Sequence, residues 1–370
     1  MTNKNQAIVN IGNIGYMSNV FSKIEKEKKL NIVYLGGSIT MGCHATDDEL
    51  RYVNRSVKWW KNNFPDADVD FFNAGIGATT SQFGAARVED HVLNREPDLV
   101  FVEFSVNDEA SPLFMETYES LIRKLLRAES VKAVILINNL FYDTGKNAQE
   151  IHNNIGLRYG LPIVSVRDYI YPEIQLGNVR LSDYTDDMLH PKDPGHKMIS
   201  DLIMNLLDVE YNYYKKLGVK PKPELPEPFT ACRYEDAERI QNGNCEPVME
   251  GFVPDKHESQ QWSDPFKDGW TAHDKGSRIA FKVTGGIIMV QWKKTVNKPA
   301  PIAYAVIDGD YSGKIKLDAN FDEDWGDLCC LTVLYEGDNK GEHTLEIYID
   351  SEGKKDSDFM LISVITAHKS

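Results

Sequence analysis

The chain has 370 residues, 42% hydrophobic and 26% charged, a composition typical of globular proteins and too long for one ordinary core, so two domains are expected. Its 56 acidic and 41 basic residues leave a formal net charge of −15, a surface that repels phosphate backbones and argues against a nucleic-acid partner. No apolar stretch approaches a bilayer span, and MTNKNQAIVNIGNIGYM lacks the pattern of a signal peptide, so no membrane partner is expected and a cytoplasmic location is, with five reduced cysteines (43, 232, 245, 329, 330).

Short continuous apolar runs recur at 31–35, 69–73, 98–104, 133–137 and 161–166. Runs without alternation belong to a sheet covered on both faces. Helical patterns lie between and after them, near 17–28, 47–64, 82–94, 113–128, 147–160 and 193–208. This alternation predicts a three-layer α/β domain with a parallel sheet, flavodoxin-like, over residues 1–219. KPKPELPEP at 220–228 carries four prolines in nine residues and reads as a linker, because proline neither continues a helix nor enters a central strand. From 229 to 370 the runs IAFKVTGGIIMVQW, IAYAVIDGDYSGKIKL, CCLTVLYEG and HTLEIYID predict an all-β sandwich. Gly285-Gly286 and Asp308-Gly309 are expected as tight turns, and Cys329-Cys330 as core residues.

In open parallel sheets, ligands sit beyond the carboxyl ends of the strands. The first run ends in Gly36-Gly37-Ser38, the second in Asn73-Ala74-Gly75-Ile76-Gly77-Ala78-Thr79, the third in Ser105-Val106-Asn107-Asp108. The fifth is followed by a loop and then Asp187-Met188-Leu189-His190-Pro191. A serine hydroxyl needs a base to become a nucleophile, and His190 is the candidate; Asp187 would fix its tautomer through the other ring nitrogen. An oxyanion needs preorganised donors. The Asn107 amide, the backbone of the loop at 75–78 and the Ser38 N–H offer them. Singly, Ser38 reads as a helix N-cap, Asn107-Asp108 as a turn capping the next helix, and Asp187-x-x-His190 as a hydrogen-bonded loop. Their order at successive strand ends favours a hydrolytic site.

Cys43-His44 lacks an orienting acid for a thiol nucleophile, His196 reads as packing at the start of the last helix, and Asp47-Asp48-Glu49 as an acidic first turn. NFDEDWGD at 320–327 misses the EF-hand spacing and reads as a solvated loop. The chemistry calls for no metal and no cofactor.

The four segments together resemble the SGNH, or GDSL-like, hydrolase superfamily, named for Ser, Gly, Asn and His in separate blocks. GGSIT resembles the first block, NAGIGATTSQFGAAR the second, FSVNDE the third and DMLHP the last, over roughly residues 30–208. The resemblance implies a Ser38–His190–Asp187 triad and an oxyanion hole of Ser38, Asn107 and a backbone N–H at Ala78, where the family has glycine, with Gly77 as the neighbouring candidate. Alanine supplies that N–H if its backbone is ordinary.

The second domain holds four of the six tryptophans. Trp292 lies in a strand pattern, whereas Trp262, Trp270 and Trp325 lie in polar, turn-rich segments and are candidate sugar-stacking residues. A GGSIT-type domain followed by a β-sandwich, here like a carbohydrate-binding module, resembles the two-domain acetyl-mannan esterases of gut bacteria. That resemblance implies deacetylation of short, acetylated manno-oligosaccharides. Alternatives are a lipid or thioester acylhydrolase of the same superfamily and a non-catalytic glycan-binding protein. A homo-oligomer is compatible with the sequence, which does not fix the number of copies.

Overall fold

The computed structural model describes residues 3–259 and 262–368. The chain divides into two compact units, Met1–Cys232 and Arg233–Ser370.

The first unit carries strands β1 (Ile8–Asn10), β2 (Lys29–Gly36), β3 (Asp68–Gly75), β4 (Leu99–Glu103), β5 (Ala133–Asn138) and β6 (Ile163–Ser165). Its α-helices are α1 (Ile14–Glu27), α2 (Ser38–Met41), α3 (Tyr52–Asn63), α4 (Ser81–His91), α5 (Pro112–Arg127), α6 (Gln149–Arg158), α7 (Val166–Gln175) and α8 (Asp193–Leu217). The strand order is β1-β6-β5-β4-β2-β3, parallel from β6 to β3 with β1 antiparallel at the edge. Every residue of β4 and β5 is buried, as continuous apolar strands between two helical layers require. α1, α3 and α8 pack together, as do α4, α5 and α6. The chain moves from β2 to β3 on one side and then to β4 on the other, so strand order reverses beside β2. A switch point of this kind is where an open parallel sheet is expected to hold its ligand.

Two elements are unannounced by the sequence pattern. β1 is three residues long, and α7 occupies the stretch read as a loop, with Pro172 inside it. The helix expected over 47–64 is a 3₁₀ turn at Asp48–Leu50 followed by α3; Asp47 caps the turn by accepting the Glu49 N–H at 2.8 Å. The proline-rich segment is bound to the first unit along its length. Lys222 Nζ donates to the carbonyls of Leu126 and Val131 at 2.9 and 2.8 Å, and Arg123 donates to Pro226 O at 2.9 Å. The Glu119 carboxylate, fully buried, accepts the N–H groups of Phe229 and Thr230, the Thr230 hydroxyl and the Tyr159 hydroxyl. Proline removes backbone donors, so the strap's carbonyls remain for Arg123 and Arg158, while its own Lys222 meets carbonyls outside the strap.

The second unit is an all-β sandwich. Its strands are β7 (Glu238–Ile240), β8 (Val248–Glu250), β9 (Val253–Pro254), β10 (Trp270–Ala272), β11 (Arg278–Lys294), β12 (Ile302–Ile307), β13 (Ile315–Asp318), β14 (Leu328–Ser351) and β15 (Phe359–Ala367). β11 runs antiparallel to β14 throughout. On its other edge it pairs with β8 through 278–280 and with β15 through 287–292. Gly285-Gly286 is therefore not a turn. It lies inside β11, at a shift of register where the strand exchanges one edge partner for the other. Glycine tolerates such a bulge as well as it tolerates a turn, which is why the sequence pattern is ambiguous. Asp308 and Gly309 do turn, with φ of 52° and 73°. The core holds Trp270, Phe281, Trp292, Ile347, Phe359 and Leu361. Cys329 is buried, Cys330 half-buried, and all five cysteines are free.

In the first unit, Arg87 on α4 is fully buried and donates to Ala74 O at 2.8 Å and Gly36 O at 3.1 Å, tying the carboxyl ends of β3 and β2. Arg87→Leu should strand both carbonyls and lower unfolding free energy by about 2–4 kcal/mol. Urea denaturation measures this; a loss below about 1 kcal/mol would contradict the role.

Candidate active site

β2 stands in register with both neighbours, Gly36 opposite Gly75 on one side and Glu103 on the other. Three loops therefore leave the sheet at one level. The first turns from β2 into α2, whose opening residue is Ser38, 7% exposed. As the first residue of a helix, Ser38 has an N–H with no intrahelical acceptor. A Cβ at Gly37 would overlap Asn107 Oδ1, so glycine lets the third loop close against the serine turn. A Cβ at Gly75 would overlap the Met41 backbone in the same way. Asn73 Nδ2 donates to Thr40 O at 2.8 Å and Ile76 N to Gly36 O at 3.0 Å, holding the second loop against the first. A Cβ at Gly77 would lie 3.9 Å from Ser38 Cβ, so the glycine loop abuts the serine.

The loop before α8 brings Asp187 and His190 to the same place. His190 Nε2 lies 2.8 Å from Ser38 Oγ, and His190 Nδ1 lies 2.6 Å from Asp187 Oδ2. Asp187 Oδ1 accepts the backbone N–H groups of His190 and Leu189 at 2.7 and 3.0 Å and the Thr185 hydroxyl at 3.2 Å. Partial burial would raise the Asp187 carboxyl, but the bonds from the His190 ring and the two backbone N–H groups outweigh it and hold the acid well below the usual carboxylate range. The aspartate thus stays ionised and keeps Nδ1 protonated, leaving Nε2 to accept the serine proton.

Several expectations meet the structure differently. Ala78 has φ of 54°, so its backbone is left-handed rather than ordinary, at a cost of about 1 kcal/mol for a side chain with a Cβ. Trp270 is fully buried, edge-on to Phe281 with ring centroids 5.1 Å apart, and offers no face to a sugar. Its polar neighbours in sequence belong to turns, while the ring enters the core from β10. Trp262 is half-buried. Trp325 is 57% exposed and rests edge-on against Phe321. The 320–327 loop around it is largely exposed, with Asp322 paired to Lys298 at 2.9 Å.

Burial pushes the Cys43 thiol up, away from reactivity. His196 is buried, stacks near Tyr52 and sits 3.1 Å from Cys43 O; burial pulls its imidazole down to about 4, so it is neutral. Cys43-His44 is expected to lack an orienting acid, yet His44 Nε2 is 3.8 Å from Asp187 Oδ2, and His44 itself has a left-handed backbone (φ 64°). His44, Asp187 and His190 offer ligand atoms within 4.8 Å of one another. Asp187 Oδ2 and His190 Nδ1 are already spent on each other, so the donor set does not fit a resident ion without dismantling the Ser38 relay. Sequence reasoning also missed Glu103, buried opposite Gly36, 3.4 Å from Thr40 Oγ1 and 3.1 Å from Ser105 Oγ. An acid in an apolar run was its one signal.

Residues 34–198 match the profile of the GDSL-like Lipase/Acylhydrolase family. Over its whole length the chain is similar to the crystal structure of a two-domain esterase active on acetylated mannans, co-crystallised with mannopentaose. Identity is 40%, the TM-score 0.95, and the match covers 100% of this chain and 99% of that one. A second crystal structure of a two-domain esterase active on acetylated mannans matches at 40% identity and TM-score 0.95, covering 100% of both chains. No curated protein matches the chain.

Burial pushes the Glu103 carboxyl up to about 7, against the partial relief of bonds from Ser105 and Asn139. The native state then binds the proton more tightly than the unfolded state, whose glutamate titrates near ~4.3. Stability from this group should fall as pH rises from about 4.3 to about 7, by on the order of 3 kcal/mol. The stability difference between the wild type and Glu103→Gln should show that slope; a flat difference would mean that Glu103 titrates normally.

Proposed function

From the premise that the chain belongs to the GDSL-like lipase/acylhydrolase family, we propose that it is a serine esterase that removes O-acetyl groups from carbohydrates, acetylated manno-oligosaccharides in particular. The observation that carries the chemistry is the continuous relay Ser38 Oγ–His190 Nε2, His190 Nδ1–Asp187 Oδ2, at 2.8 and 2.6 Å. The full-length likeness to an esterase active on acetylated mannans supports the substrate class.

His190 takes the Ser38 proton as the oxygen attacks the acetyl carbonyl. The oxyanion that forms is held by the Ser38 N–H, the Asn107 amide and a backbone N–H of Gly77 or Ala78. Collapse expels the sugar hydroxyl, which receives the proton from His190. Water, deprotonated by His190, then attacks the acetyl-enzyme, and a second collapse releases acetate and restores Ser38. Asp187 stays ionised and orients the imidazole at each transfer. We assign sugar contact to Trp325, whose indole is exposed and offers a flat apolar ring. We also propose a cytoplasmic location, in which five cysteine thiols would stay reduced.

Acetate release from acetylated manno- and xylo-oligosaccharides, measured for wild type beside Ser38→Ala, tests the reading. Wild type should release acetate, preferring the manno-series, and Ser38→Ala should lose about 10³-fold or more in kcat. Cleavage confined to long acyl esters or thioesters would instead identify the acylhydrolase alternative. Trp325→Ala should raise KM for acetylated oligosaccharides several-fold while leaving a small aryl acetate unaffected; equal effects on both would remove Trp325 from sugar binding.

A further inference from the structure

Next to Asn107, the amide assigned above to the oxyanion, lies a buried acid–imidazole pair that the reaction as written does not use. Asp108 and His152 have side chains with no exposure at all, and His152 Nε2 is 3.0 Å from Asp108 Oδ2. The other carboxyl oxygen, Oδ1, accepts the Ser81 N–H at 2.8 Å. Ser81 opens α4, whose N-cap Thr80 supplies no side-chain cap of its own. Asp108 is therefore the cap of α4, reached from another loop, and not the cap of α5, which Ser111 provides. The residues just before α4 are the glycine loop, Gly77 and Ala78 among them. One carboxyl group thus joins the loop that carries Asn107 to the loop that carries the backbone donor.

His152 fixes that carboxyl from the far side. Its ring lies flat on Tyr118, centroids 3.6 Å apart and planes 8° apart, so it cannot swing. Its helix, α6, is itself anchored to the Asn107 loop, since the Ala148 N–H donates to Ser105 O at 2.7 Å. Among the described residues, His152 Nδ1 has no hydrogen-bond partner. With one nitrogen unpartnered in the core, the Nε2 bond to Asp108 is the polar tie that justifies burying an imidazole here.

Resting on the esterase reading above, we propose that Asp108 and His152 are positioning residues of the oxyanion hole: the pair sets the spacing between the Asn107 amide and the Gly77–Ala78 backbone, and so acts on the transition state without touching substrate. Donors aimed at a developing charge lose much of their value when displaced by a fraction of an ångström. The pair should therefore matter to kcat and little to KM.

The test is a double-mutant cycle on the full chain with an aryl acetate. His152→Phe keeps the stack on Tyr118 and removes the bond to Asp108; Asp108→Asn keeps an acceptor for Ser81 and is the second variant should the first fail to fold. Either change should lower kcat about 10-fold or more with KM within about 2-fold. In an Asn107→Ala background, the same change should cost several-fold less than in wild type, because one of the two donors whose spacing it sets is gone. An equal factor in both backgrounds would show a merely structural role and overturn the proposal, as would an unchanged kcat or an effect on KM alone. If Ser38→Ala proved as active as wild type on the same substrate, the esterase reading itself would fail, which separates the two outcomes.

Discussion

Gly36 faces Gly75 across one ladder and Glu103 across the other, and parallel hydrogen bonding allows no drift between them. A strand shifted by one residue would turn every side chain to the opposite face, where it would meet neighbours of the wrong size, so close packing on both faces holds this register. From it follows that the serine turn, the glycine loop and the Asn107 loop begin at one height above the sheet. Arg87 pins the two glycine-bearing strands from below through the carbonyls of Gly36 and Ala74. Small residues at 36, 37 and 75 then let the loops approach to contact. The fourth segment, with Asp187 and His190, arrives from a distant part of the chain, and its geometry is set locally by four bonds onto one aspartate.

That division explains what could be read from the sequence. The strands β2, β4 and β5 announce themselves because burial on both faces demands unbroken apolar runs, and the edge strand β3, only partly buried, shows a shorter one. The catalytic segments announce themselves because serine, asparagine, aspartate and histidine directly after such runs have few structural reasons to coincide. β1 is too short to show a period, and α7 hides behind Pro172 and a strand only three residues long. Local composition misleads at Trp270, whose polar neighbours describe the turn and not the ring. At Gly285-Gly286 the same residues serve a turn or a bulge, and only the change of edge partner distinguishes them. The left-handed backbone of Ala78 has no compositional mark, since alanine is not the residue that such a conformation selects.

Buried polar groups beneath the crevice form a second layer that composition does not reveal. Glu103, Ser105, Asn139, Asp108 and His152 are all buried, and beyond an acid in an apolar run at 103 and a turn signal at 107–108 they leave no mark in the sequence. Apart from the Ser105–Glu103 bond, their bonds run between segments and not along them, so no periodicity records them. They are costly to bury singly and stable as a connected set, which is the usual state of polar groups that hold a reactive centre in shape.

The proline-rich strap changes what counts as the catalytic module. The compositional seam lies at 220, but the bonds that hold the strap belong to the first unit as far as Thr230. A gene fusion or recombination event that cut at the first proline would leave the Glu119 carboxylate without three of its donors, two lost from backbone and one from a hydroxyl. Exchange of the β-sandwich for another domain is therefore constrained to a junction beyond residue 230. The portable unit of inheritance is the α/β fold together with its strap.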